Sequence, residues 1–209
     1  DAINDQFIDL MAKHDAFVPY IDLPIQHASN RILKRMGRRE TKEQLLEVFH
    51  RLRERIPGVA LRTTVMVGFP GETDEDFQEL LDFIKTIRFE HLGCFIYSPE
   101  EGTAAAEFPD QVPQEIAEKR YRQVMELQQG ISHSFLNQQL GKKVEVLLEG
   151  VSSDGLYYLG RTVHQAPEVD GLVQVLAPHY PLEIGQMVEV ELLETDGYNL
   201  IGQEVDVLN

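Results

Sequence analysis

Cysteine is all but missing from this chain: Cys94 is the only one in 209 residues. An internal disulfide is therefore excluded, and so is a zinc or iron–sulfur site built only from this chain's own thiolates. Cys94 lies in an apolar run, where a lone thiol reads as a small core residue. Long apolar runs are missing too. None approaches the ~20 residues needed to cross a bilayer, and the first residues do not read as a signal peptide. A cytoplasmic setting is the natural expectation for such a cysteine count. Positive charge is scarce: 19 Lys and Arg against 35 Asp and Glu leave a net charge of −16. That balance disfavours nucleic acid and anionic membrane surfaces as general partners. It suits a basic partner, or simply solubility.

What is present follows two grammars. Up to about residue 140, helical patterns alternate with short apolar strands. Residues 3 to 12 read as a helix with Ile3, Phe7, Leu10 and Met11 on one side, and Val18 to Leu23 as a strand ended by Pro24. Ser29 or Asn30 caps a short helix that stops at Gly37. Thr41 opens another, striped by Leu45, Val48, Phe49, Leu52 and Ile56 and ended by Pro57-Gly58. Leu92 to Tyr97 reads as a buried strand. Pro113 starts a long helix with Ile116, Val124, Leu127, Ile131 and Phe135 facing inward. Strands alternating with helices predict a parallel α/β sheet, and three strands are few for a closed barrel.

The stretch LRTTVMVGFPGETDEDF, residues 61 to 77, holds the sharpest local signal. Thr63 to Val67 form a β-branched, apolar run of the kind covered on both faces. Gly68, Pro70 and Gly71 then bend the chain, and Thr73 with Asp76 completes a capping box. Phe77, Leu80, Leu81, Ile84 and Ile87 give the helix one apolar face. This is strand, turn, helix, and ligands in such folds sit at the carboxyl ends of strands. It is not a phosphate loop. No Lys-Ser or Lys-Thr follows, and Glu72, Asp74, Glu75 and Asp76 would repel a phosphate. A purely structural, well-capped turn is the alternative at this point.

After Gly141 come five short strands: 143–148, 156–163, 172–176, 187–193 and 200–205. Gly, Pro and Asp punctuate them, which predicts a small antiparallel barrel of OB-like shape. Of Tyr157 and Tyr158, strand alternation puts one in the core and one outside. Residues 142–209 carry three basic and twelve acidic residues, net −9, against sixteen and twenty-three, net −7, before them.

Four segments occur in register: PYIDLPIQHASNRILKRMGRRET (19–41), the stretch above, FIYSPEEGTAAAEFPDQVP (95–113) and GRTVHQAPEVDG (160–171). Together they resemble the methylthiotransferase branch of the radical S-adenosylmethionine enzymes, and within it the type that modifies an aspartate of a ribosomal protein. The resemblance covers essentially the whole chain. It implies residues 1–140 as the C-terminal half of a radical-SAM, partial TIM-like α/β barrel, and residues 141–209 as a five-stranded antiparallel OB-like TRAM domain. It implies S-adenosylmethionine as cofactor and two 4Fe-4S clusters whose ligands lie outside this chain. Gln26, Ser29, Arg38, Thr64 and Gly68 are then the expected cofactor contacts: Gln26 at the ribose hydroxyls, and Arg38 at the methionyl carboxylate or else solvated. Thr64 stands where several relatives have Asp. His27 receives no catalytic role, and no catalytic residue or metal ligand is expected in this chain.

The partner implied is a basic protein of the small ribosomal subunit, protein twelve, with Glu168 and Asp170 as contact residues and poor RNA binding. Two other readings stay open: the related type that modifies transfer RNA, and a non-catalytic binding module using the small barrel. Gln26-His27-Ala28-Ser29, in place of Gln-Ser-Gly-Ser, and the Ala-Pro-Glu-Val-Asp-Gly element at 166–171 argue against the first of these. An RNA-reading domain would also need a basic face, which three basic residues do not supply.

Overall fold

The computed structural model describes residues 3–14 and 16–205. The chain divides into two compact units. One holds the residues up to Ile131 apart from Val18–Tyr20, and the other holds Val18–Tyr20 and the residues from Ser132 on.

In the first unit the elements are α1 (Asp5–Lys13), β1 (Tyr20–Asp22, whose first residue is counted with the second unit), α2 (Asn30–Arg35), α3 (Lys42–Arg55), β2 (Ala60–Val67), α4 (Asp74–Ile87), β3 (His91–Ile96) and the start of α5 (Gln114–Asn137). The caps are those the sequence specifies. Ser29 caps α2, and both Thr41–Gln44 and Thr73–Asp76 form reciprocal capping boxes. The sheet order is β1-β2-β3, with β2 and β3 parallel and Val65 opposite Cys94. The core draws Ile8 from α1, Phe49 and Leu52 from α3, Leu80, Phe83 and Ile84 from α4, and Val124 and Ile131 from α5. Phe89 meets Phe49 edge-on at 4.9 Å between ring centroids and stacks on Phe83 at 6.3 Å.

Several expectations are corrected. Along β2, Leu61, Thr63, Val65 and Val67 are buried, but Arg62, Thr64 and Met66 are half-exposed. The core helices all lie on one face of the sheet, so an apolar run that suits two covered faces has only one. β3 is likewise open on one side, with Phe95 61% exposed. In α1 the fully buried residue is Ile8, while Phe7 and Leu10 are exposed. In α5, Ile116 is exposed and Ala117 is buried. β1 is shorter than 18–23, and Val18 is exposed.

The second unit contains a closed barrel of β4 (Lys143–Val151), β5 (Tyr157–Arg161), β6 (Val173–Leu176), β7 (Met187–Asp196) and β8 (Asn199–Glu204), in the order β4-β5-β6-β8-β7. Four pairings are antiparallel; β6 and β8 run parallel. Irregularities at Leu148/Gly150 and Leu192/Glu194 let long strands bend around the closure. Val146, Leu148, Val173, Val175, Val190 and Leu192 fill the interior. Tyr158 packs against this core and its hydroxyl accepts from Leu182 N.

Candidate functional site

The chain leaves β2 through Gly68-Phe69-Pro70-Gly71. Gly68 and Gly71 have φ of +76° and +81°, a region that side chains resist. Space forbids a side chain as well: a Cβ on Gly68 would lie 2.6 Å from Ala117 Cβ, and one on Gly71 2.5 Å from Asp110 Oδ2. The turn is pinned from within. Glu72 N donates to Phe69 O at 2.9 Å, and Gly71 N donates to Asp110 O at 2.7 Å. The Glu72 carboxylate accepts from Gly68 N.

That carboxylate is buried with two other ionisable groups. Arg120 Nη1 lies 3.4 Å from Glu72 Oε2 and donates to Glu72 O at 3.1 Å, while its Nη2 reaches Asp74 at 2.8 Å. His27 Nε2 faces Glu72 Oε1 at 3.6 Å with both side chains fully buried. His27 Nδ1 accepts from Ser29 N at 2.9 Å, which leaves the imidazole proton on Nε2. Beside it, Asp76 accepts from the Ser29 hydroxyl at 2.6 Å and pairs with Arg31. Burial pushes the Asp76 pKa up, but Arg31, Ser29 and Thr73 outweigh it and hold the carboxyl well below the usual carboxylate range.

Gln26, next to His27, has φ of +68°, an uncommon value for a side-chain-bearing residue and a mark of functional sites. Its N donates to Thr64 O at 2.9 Å and its O accepts from Met66 N at 2.7 Å. On the other side of β2, Tyr97 N donates to Val67 O at 2.9 Å. Between them opens a cavity of about 560 Å³, large enough for a cofactor-sized ligand. Met66, Phe69 and Phe108 give it apolar surface, and Gln26, Arg38 and Tyr97 give it polar groups. Phe69 meets Tyr97 edge-on at 5.2 Å. Arg35 also borders the cavity, but it is engaged over the Phe108 ring at 4.8 Å and with Asp110 at 2.6 Å.

Of the five expected cofactor contacts, Gln26 and Arg38 line this cavity. Thr64 stands one rung below Met66 on the open face of β2 and holds Gln26 through its carbonyl. Ser29 and Gly68 have other employment: Ser29 caps α2 and bonds Asp76, and the Gly68 amide is taken by Glu72. In the second unit, Glu168 is exposed with φ of +66°, whereas Asp170 accepts from Ala166 N at 2.8 Å and from the Tyr20 hydroxyl at 2.6 Å, so its carboxylate has a structural use in the fold. Arg120, Arg35 and Tyr97 were not singled out from sequence, and Glu72 entered only as one of the acids at the helix start. Glu72 and Arg120 are far apart in the chain, and no periodicity joins them. Tyr97 could have been found as the residue that closes a strand at its carboxyl end. Cys94 is buried, and burial, with Glu72 nearby, pushes its thiol up to about 12. Among the described residues no group of three His, Cys, Asp or Glu is placed to hold a metal.

The Radical SAM superfamily model matches residues 1–84, and the TRAM domain model matches residues 140–205. Three curated relatives bear the name ribosomal protein uS12 methylthiotransferase RimO. That of Acetivibrio thermocellus is 42% identical over 206 residues, covering 99% of this chain and 45% of its own length. That of Lachnoclostridium phytofermentans is 43% identical over 202 residues, covering 97% and 46%. That of Proteus mirabilis is 46% identical over 202 residues, covering 97% and 45%. The chain thus spans less than half the length of these relatives. Among solved structures, coproporphyrinogen III oxidase (HemN) from Escherichia coli, a radical SAM enzyme, aligns at TM-score 0.45 and 15% identity, over 83% of this chain and 41% of its own, and adds nothing to the assignment.

Proposed function

We propose that this chain, a member of the RimO-type radical SAM methylthiotransferases, supplies the cofactor-orienting part of the barrel and the TRAM domain of an enzyme that adds a methylthio group to an aspartate β-carbon in ribosomal protein uS12. The observation that carries this reading is the identity to RimO proteins running through both the barrel part and the TRAM part. The domain limits we assign are 1–140 and 141–209, and the setting is cytoplasmic. No helix among the described residues is long and apolar enough to cross a membrane.

S-adenosylmethionine and two 4Fe-4S clusters supply hydrogen abstraction and sulfur delivery when bound. The residues of the cavity fit the first of these groups. Met66, Phe69 and Phe108 offer apolar surface to an adenine, and the Gln26 amide both donates and accepts, as a ribose diol requires. Arg38 can pair with a carboxylate. The shielded Tyr97 hydroxyl has no hydrogen-bond partner among the described residues. The residues do not fit the clusters: the single thiol is buried and held protonated, so the cluster ligands belong to the part of the enzyme outside this chain. The work of these 209 residues is binding, orientation and shielding. Glu72 fixes the Gly68 turn, and the bridge of Gln26 to β2 sets the amide at the cavity.

The test is an enzyme containing this chain, with its clusters reconstituted, offered uS12 and transfer RNA side by side. Mass spectrometry should find the methylthio group on a uS12 aspartate. Modification of the RNA alone would overturn the reading.

A further inference from the structure

Among the described residues lining the cavity, two have a polar atom that is both shielded and unmatched, Tyr97 at its hydroxyl and Arg35 at Nε, and the Arg35 guanidinium is already engaged with Asp110 and over the Phe108 ring. The Tyr97 amide is bonded to Val67 O, and the Tyr97 ring stands edge-on to Phe69, so the residue is fixed from two sides. Its hydroxyl is buried and has no hydrogen-bond partner among the described residues, while the residue itself lines the cavity. A buried phenol ordinarily finds a partner, because leaving it unmatched costs more than a hydrogen bond gains. Tyr97 and Gln26 also flank the last residues of β2 from opposite sides, one bonded at Val67 and the other at Met66. Two polar side chains thus stand on either side of one strand end at the mouth of one cavity.

We propose that Tyr97 is a cofactor-binding residue whose hydroxyl hydrogen-bonds the adenosyl group, opposite the Gln26 amide. This rests on the reading of the cavity as the S-adenosylmethionine site. The adenosyl part is the fitting partner because it carries the neutral donors and acceptors that a phenol matches. The methionyl carboxylate has the Arg38 guanidinium, a stronger partner for an anion.

The experiment compares the 209-residue chain with its Tyr97→Phe variant. Thermal midpoints are read with and without ligand, and affinities come from ligand-detected NMR. The probes are S-adenosylhomocysteine and 5′-methylthioadenosine, which share the adenosyl group and differ in the amino acid. Tyr97→Phe should leave the midpoint of the ligand-free chain unchanged or slightly raised, since it removes an unmatched hydroxyl. It should weaken both probes by about fivefold, the worth of one neutral hydrogen bond, and shrink the ligand-induced rise in midpoint. Equal affinity of chain and variant for both probes would sink the Tyr97 assignment and leave the cavity reading standing. Weakening of S-adenosylhomocysteine alone would move the contact to the amino acid and overturn the adenosyl assignment. A lowered ligand-free midpoint with unchanged ligand-induced shifts would make Tyr97 merely structural. If the unaltered chain bound neither probe, the cavity reading and this inference would fall together.

Discussion

The Asp76 carboxyl is 5% exposed at the start of α4 and takes hydrogen bonds from Ser29, Thr73 and Arg31. Burial alone would raise its pKa above the usual 3.8, but Arg31 and the hydroxyl and amide donors lower it instead. A carboxyl lowered in the folded state contributes stability that is complete above its unfolded value and is lost as pH falls through the folded one. Asp76→Asn should therefore destabilise the chain at neutral pH by roughly 1–3 kcal/mol, a range that discounts the half-exposed Arg31 side chain. The midpoint gap between the two proteins should hold steady from about pH 7 to about pH 5, narrow below the ordinary carboxylate value, and close only as pH falls through the lowered folded value. A gap independent of pH would show that the carboxylate charge is not the source. The half of this arrangement that is local was legible: Thr73 with Asp76 reads as a capping box, and Ser29 as a cap. The bond between Ser29 and Asp76 spans 47 positions, and no local rule contains it.

Among the elements, the stripe of α3 follows directly from spacing, because Leu45, Phe49, Leu52 and Ile56 are large and meet the core side on. The stripe of α5 does not. Hydropathy favours Ile116, yet Ala117 is the buried residue, since the helix passes so close to the Gly68 turn that only a methyl fits. Close approach rewards small residues, and a pattern of large apolar ones cannot register it. The same contact yields a test. Gly68→Ala meets a positive φ and the Ala117 methyl at once, and should cost roughly 2–4 kcal/mol from backbone strain and overpacking together. Ala117→Gly by itself loses about 1 kcal/mol of helix propensity. In the double variant the clash is gone, so its loss in denaturant unfolding should be smaller than the sum of the two single losses. Strict additivity would mean that the turn and α5 are not coupled through this contact.

At the scale of the whole molecule, charge was legible from composition and its use was not. Residues 142–209 hold twelve acids and three bases, and the barrel strands carry many of the acids outward, as in the exposed Glu145, Glu189 and Glu194. Spread over a barrel, such charge sets which partners approach rather than how the strands pair. Glu168 and Asp170 look alike in the sequence, but folding separates them. Glu168 is exposed and held at φ of +66°, while the Asp170 carboxylate accepts from Ala166 N inside the loop and from the Tyr20 hydroxyl at 2.6 Å outside it. A contact role for the loop therefore predicts different outcomes at the two positions. Glu168→Lys should leave the thermal midpoint nearly unchanged and slow association with uS12, because exposed charges act mainly on encounter. The effect should fade as salt rises, since screening confines such charges to about 8 Å at physiological ionic strength. Asp170→Lys should lower the midpoint as well, because it removes the acceptor shared by Ala166 N and the Tyr20 hydroxyl. Association rates of the 209-residue chain with uS12, measured by stopped flow across a salt series, decide the matter. Equal rates for Glu168→Lys and the unaltered chain at low salt would remove this loop from the docking surface, and faster binding of transfer RNA than of uS12 by the unaltered chain would turn the acidic barrel away from a protein partner altogether.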